Sequence, residues 1–89
     1  MDARAFARQT PDMSPIAVKF GRVVRRARDA RGLSQEALAD LAGVSRSFLS
    51  EVERGSASPS LETMQKLADA LGERLSYLIL EYERTNDST

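Results

Sequence analysis

Arg46, Ser47, Ser50 and Glu51 carry the chain's most informative set of hydrogen-bonding groups. They follow one another at helical spacing and point outward if Leu49 and Val52 point inward. A guanidinium is a planar donor fork that matches the O6 and N7 acceptors of guanine, a pairing worth roughly 1–3 kcal/mol of discrimination between bases. Serine hydroxyls bond a base edge or a phosphate, and a carboxylate accepts from the cytosine amino group. Each has a plainer use as well: Arg46 touching phosphate alone, Glu51 pairing with Arg46 or Arg54. Groups suited to phosphate surround them. Gln35 and Ser45 stand at the openings of two short helices, where free backbone N–H groups attract anions. Arg54 and Ser56 follow the second of these helices, and Arg22, Arg25 and Arg26 are further cations within reach of a phosphate backbone.

The segment that must position these groups is SQEALADLAGVSRSFLSEVERG, Ser34 to Gly55. It reads as two amphipathic helices joined by a tight turn at Gly43-Val44-Ser45, with Leu38, Leu41, Val44, Leu49 and Val52 as the apolar inner face. Ala39 sits where the helices approach most closely, so a larger side chain would force them apart. Gly43 supplies the left-handed backbone that ends a helix. Apolar spacing, small residue and glycine together spell a helix-turn-helix, whose second helix fits the DNA major groove.

Helical periodicity extends to both sides. Ser14 caps and Pro15 opens a first helix through Phe20, Val23, Val24 and Ala27 that stops at Gly32. Ser34 and Ser45 cap the next two, with Leu33 and Val44 placed to staple onto Leu38 and Leu49. After a polar loop from Gly55 to Ser60, Leu61, Met64, Leu67, Ala68 and Leu71 mark a fourth helix ended by Gly72. A last helix runs from about Leu75 to Glu83. No alternating strand pattern occurs, so the expected fold is all-α, a compact five-helix bundle. It occupies 15–83, between a flexible arm at 1–14 and a short polar tail at 84–89.

Composition narrows the chemistry. The chain has 89 residues, one small domain, with no cysteine and no histidine. Disulfides are impossible and the usual zinc ligands are missing. Nucleophilic and general-base catalysis would rest on Ser, Lys or carboxylates, and no glycine-rich phosphate loop is present, so neither an enzyme nor a cofactor is expected. There is no membrane span and no secretory signal, and a cytoplasmic location is expected. Net charge is zero, yet eight basic residues face three acidic ones up to Arg31, and five face ten from Gly32 onward. A basic side beside a helix-turn-helix suits phosphate.

Tyr77, Leu78, Ile79, Leu80 and Tyr82 make the last helix apolar on more than one side. So small a core cannot use them all, and self-association through Tyr77, Leu78, Ile79 and Tyr82 would bury the excess. A homodimer would also set two recognition helices about 34 Å apart, one turn of duplex, on a palindromic operator.

The Ser34–Gly55 motif, with Phe20-Gly21, Val24, Arg28, Gly32-Leu33-Ser34 and SPSLETMQKLADALG (Ser58 to Gly72), resembles the lambda-repressor-like (Cro/CI, XRE-type) family of DNA-binding domains. The resemblance covers about Phe20 to Leu80. It departs at Arg74, where members often carry a capping Ser or Thr. It implies base contact at Arg46, phosphate contact at Gln35, and a structural ion pair between Arg28 and Glu53. In resembled activators the outer surface of the second helix, here Glu36 and Asp40, contacts RNA polymerase; a solvated acidic face is the plainer reading. The resemblance also implies dimerisation through the C-terminal helix, as in restriction–modification controller proteins. The expected function is a sequence-specific, autoregulatory transcriptional regulator without a separate ligand-sensing domain. The competing expectation is an antitoxin that binds its own operon and masks a toxin protein.

Overall fold

The computed structural model describes residues 14–85. The arm expected at 1–14 therefore lies outside the described residues except for Ser14, and so does the tail beyond Thr85. Five helices follow in order: α1 Pro15–Ala30, α2 Gln35–Ala42, α3 Arg46–Arg54, α4 Leu61–Leu71 and α5 Leu75–Arg84. No strand occurs among the described residues. The last helix includes Arg84, which had been placed in the tail.

Local chemistry fixes the boundaries. The hydroxyls of Ser14, Ser34, Ser45 and Ser60 each accept from the backbone N–H three residues on, at Ala17, Ala37, Phe48 and Thr63. Each satisfies a donor that the first helical turn leaves without a partner. Gly43 ends α2 in the left-handed region (φ 72°, ψ 32°), which lets the Val44 N–H return to the Ala39 carbonyl at 3.0 Å. Arg74 stands at the N-cap of α5 without a side-chain cap bond, so this helix starts on backbone geometry alone.

The core gathers Phe20, Val23 and Val24 from α1, Leu38, Ala39 and Ala42 from α2, Leu49 and Val52 from α3, Leu67, Ala68 and Leu71 from α4, and Leu78 from α5. Two expected contributors are absent. Leu41 is 63% exposed and Leu61 69% exposed. With about 100° of turn per residue, the inward arc of α2 runs from Leu38 through Ala42 to Ala39. Leu41 lies about 60° outside that arc. The two alanines occupy the core side because α2 packs closely on its neighbours there. Leu61 is the first residue of α4, beyond the end of the buried stripe.

Helix α1 crosses α3 at Gly21. A Cβ added there would overlap the Val52 carbonyl oxygen and stand 2.7 Å from that of Glu53, so only glycine fits. Gly55, the left-handed cap of α3 (φ 81°), lies as tightly against Val18 of α1. Backbone therefore meets backbone where α1 fixes the C-terminal half of α3. Among the described residues no helix is long and apolar enough to cross a membrane.

Candidate nucleic-acid interface

Helix α3 divides into two faces. Leu49 and Val52 are wholly buried and Phe48 half-buried, whereas Arg46, Ser47, Glu51 and Arg54 are exposed and Ser50 is partly so. Arg46, Ser47, Ser50, Glu51 and Arg54 line one shallow polar depression. They span an arc of about 140°, the part of the helix that the core does not use. The four residues singled out for base reading thus share one surface. Arg46 has no partner among the described residues, and Glu51 forms no ion pair there with Arg46 or Arg54. Both keep their full hydrogen-bonding capacity for a ligand.

Arg54 joins them. Sequence position placed it past the recognition helix as a phosphate contact, but its guanidinium folds back along α3 and donates through Nη1 to the Ser50 hydroxyl. The side chain lies along the exposed polar face of α3. Ser56 is also differently engaged. Its hydroxyl donates to the Glu51 carbonyl at 3.2 Å, closing the end of α3, so a phosphate bond from Ser56 requires that proton to turn away. Ser45 accepts from Phe48 N–H through its oxygen and keeps its own proton to give.

At the start of α2, Gln35 donates through Nε2 to Glu53 Oε1 at 3.0 Å. Glu53 also receives two bonds from Arg28, Nε to Oε2 at 2.7 Å and Nη2 to Oε1 at 2.9 Å, and Arg28 Nη1 donates to the Leu33 carbonyl at 2.8 Å. The expected Arg28–Glu53 pair is thus present and buried, with side chains 11% and 3% exposed. The hydrogen bond to Glu53 holds the Arg28 guanidinium above its ordinary proton affinity, against the opposing effect of burial and with help from the charges of Glu53 and Asp29. That Glu53 also grips Gln35 had no signal in the sequence. The two lie 18 positions apart.

Of the cations on α1, Arg25 approaches Asp29 at 3.9 Å and Arg26 donates to Thr85 at 3.4 Å, while Arg22 is exposed. Glu36 and Asp40 are both exposed on the outer side of α2.

The residues expected to pair two copies separate into three settings. Leu78 is wholly buried within this chain and leaves the set, because the inward side of α5 runs through Leu75, Leu78 and Tyr82. Tyr82 is half-buried with Lys19 Nζ 4.6 Å above its ring, and Ile79 is half-buried on the wall of an apolar groove with Ile16, Phe20 and Met64. Tyr77, 43% exposed, faces outward beside Leu80, which is 49% exposed and had not been singled out.

Two capped helices meeting across a glycine turn, with an uncommitted polar face on the second, define a helix-turn-helix protein. Residues 24–78 match the helix-turn-helix family, and the chain belongs to that XRE-type family of transcriptional regulators. Among solved structures it is similar to the restriction–modification controller protein C.AhdI of Aeromonas hydrophila, with 48% identity over 70% of this chain and 94% of that one at a TM-score of 0.69. It is 35% identical over 60 residues to the prophage-derived HTH-type transcriptional regulator YonR of Bacillus subtilis, covering 67% of this chain and 56% of that protein. To the immunity repressor of Bacillus phage phi105 it is 39% identical over 61 residues, 68% of this chain and 42% of that one. The chain spans about half the length of these last two relatives. Each of the three is named for regulation rather than catalysis.

Proposed function

We propose that the chain is a sequence-specific, dimeric regulator that binds a palindromic operator in duplex DNA and acts on its own promoter in the cytoplasm. The observation that carries this reading is the outer face of α3. Arg46 and Glu51 have no side-chain partner among the described residues, and Arg54 lies along the same surface. An exposed helix face of this kind, backed by a rigid core, is what major-groove reading requires. Arg46 takes the guanine contact, with Ser47, Ser50 and Glu51 beside it. Gln35 and Ser45, at the N-termini of α2 and α3, hold phosphates and set the register. The likeness to a restriction–modification controller protein over nearly all of that protein's length supports a controller-type role.

The test is binding to DNA upstream of the chain's own gene, measured by fluorescence anisotropy across a salt series. Affinity is expected to fall steeply as salt rises, because neutralised phosphates release counterions. Arg46→Ala is expected to lower the preference for that DNA over random duplex by about 1–3 kcal/mol. Binding that ignores salt, or an unchanged preference in the variant, refutes the reading.

A further inference from the structure

Gln35 is the first residue of α2, where the backbone N–H groups of Gln35 and Glu36 have no acceptor among the described residues. Its side chain is long and flexible, and an amide left to wander would have to be immobilised each time a phosphate arrived. In this chain it is immobilised beforehand. One Nε2 proton is spent on Glu53 Oε1 at 3.0 Å, and no partner among the described residues takes the other. Glu53 is itself fixed, buried at the end of α3 and gripped twice by Arg28 from α1. A bare carboxylate so near a phosphate would repel it. The bidentate guanidinium balances that charge while leaving Oε1 able to accept from the amide. Arg28 also ties down the Leu33 carbonyl, one residue before the α2 cap, so the chain entering Gln35 hangs from the same group.

We propose that Glu53 is a positioning residue for DNA binding: its buried, charge-balanced carboxylate holds the Gln35 amide so that the second Nε2 proton is presented to a phosphate. This rests on Gln35 being a phosphate contact. The node joins α1, α2 and α3 at the place where the interface begins, so the ion pair orients the anchor as well as joining helices.

The experiment is a double-mutant cycle on the whole chain, read as affinity for a short fluorescent duplex of random sequence at low salt, since a phosphate contact needs no particular bases. Gln35→Ala is expected to weaken binding about tenfold, as befits loss of a hydrogen bond to a charged group. Glu53→Ala is expected to weaken it by a similar factor, with Gln35→Ala adding little in that background. Circular dichroism checks that each variant is folded at the temperature used. If Gln35→Ala costs the same fold-change with and without Glu53, the positioning role is overturned while Gln35 keeps its phosphate. If Gln35→Ala costs nothing in the unaltered chain, the phosphate reading itself fails.

A second measurement covers the case in which Glu53→Ala does not fold. In the amide NMR spectrum of the unaltered chain, the two Gln35 side-chain protons are expected to differ, one shifted by the carboxylate and the other moving as the duplex is added. Two protons with the shifts of a free glutamine amide overturn the proposal.

Discussion

The contact of α1 with α3 and the contact of α1 with α5 are built on different principles. At the first, backbone touches backbone. Gly21 has no room for a Cβ under the Val52 and Glu53 carbonyls, Gly55 lies against Val18, and the buried Arg28–Glu53 pair locks the end. At the second, α5 contributes one wholly buried side chain, Leu78, and is otherwise tied to the rest of the chain by contacts nearer solvent. These include half-buried Leu75 and Tyr82 at the edge of the core, Lys19 over Tyr82, Arg26 to Thr85, and Arg31 to Glu73 beside the α4–α5 turn. Backbone contact leaves no slack, whereas long side chains follow small shifts. A face that reads base edges must be placed to a fraction of a bond length. A helix that only has to cover a core and offer an outer surface need not be. The stiffness lies where the proposed function demands it.

The largest effect is expected from breaking the lock on the stiff side. Arg28→Ala leaves the Glu53 carboxylate buried without its counter-charge and the Leu33 carbonyl without its donor. Removing one partner of a buried pair typically costs about 3–5 kcal/mol, which chemical denaturation would measure directly. Replacing Arg31, whose pair with Glu73 is partly exposed, is expected to cost no more than about 1 kcal/mol. Equal losses at the two sites would erase the contrast.

Gly21→Ala comes next. The single added methyl meets two carbonyl oxygens, and α1 and α3 must separate or the backbone must bend. Overpacking of this kind costs about 1–3 kcal/mol, visible as a lowered thermal midpoint. DNA affinity measured well below that midpoint should also fall, because the displaced helix carries the reading face. A variant as stable as the original would show that the crossing has slack after all.

Much of this was legible in the chain itself. Three capping serines, the glycine after α2 and the 3.6-residue apolar rhythm locate three helix starts and one turn from local chemistry alone, whereas the capping Ser60 reads in the sequence only as the end of a polar loop. The outward set on α3 followed from the inward one. The failures share a cause, which is that facing depends on neighbours remote in sequence. Leu41 and Leu61 look like core by spacing, but the partners of α2 and α4 sit elsewhere on those helices. Leu78 looked available for a second copy only because α1 and α4 were not yet known to close over it. The bond from Gln35 to Glu53 and the fold-back of Arg54 onto Ser50 are matters of rotamer, which no pattern of residue types specifies. Gly21 stood in the sequence as part of a resemblance, and its reason appears only where α3 crosses it.

On the adaptable side, a gain is expected. Arg74 leaves the first turn of α5 without a side-chain cap. Arg74→Ser supplies a hydroxyl of the kind already used at Ser14, Ser34, Ser45 and Ser60, and should raise stability by about 0.5–1 kcal/mol in thermal unfolding. No change would mean that α5 is already held at that end by its packing.

The smallest effect on folding belongs to the outer face of α5. Tyr77 and Leu80 are each nearly half exposed and lie outside the buried core, so Leu80→Glu should alter stability by no more than about 0.5 kcal/mol. If this face pairs two copies of the chain, the same substitution places a charge in an apolar contact and drives the sedimenting species toward monomer. Operator binding should then weaken, because the second half-site contact loses the effective concentration that the first provides. Leu78→Ala is the informative control, since its side chain is wholly inside. It should lower stability by about 2–5 kcal/mol. Any loss of pairing should follow from that unfolding and not precede it. A chain that sediments as a monomer before any substitution, and still binds a palindrome tightly, would remove the outer face of α5 from the account and leave α3 to supply the affinity alone.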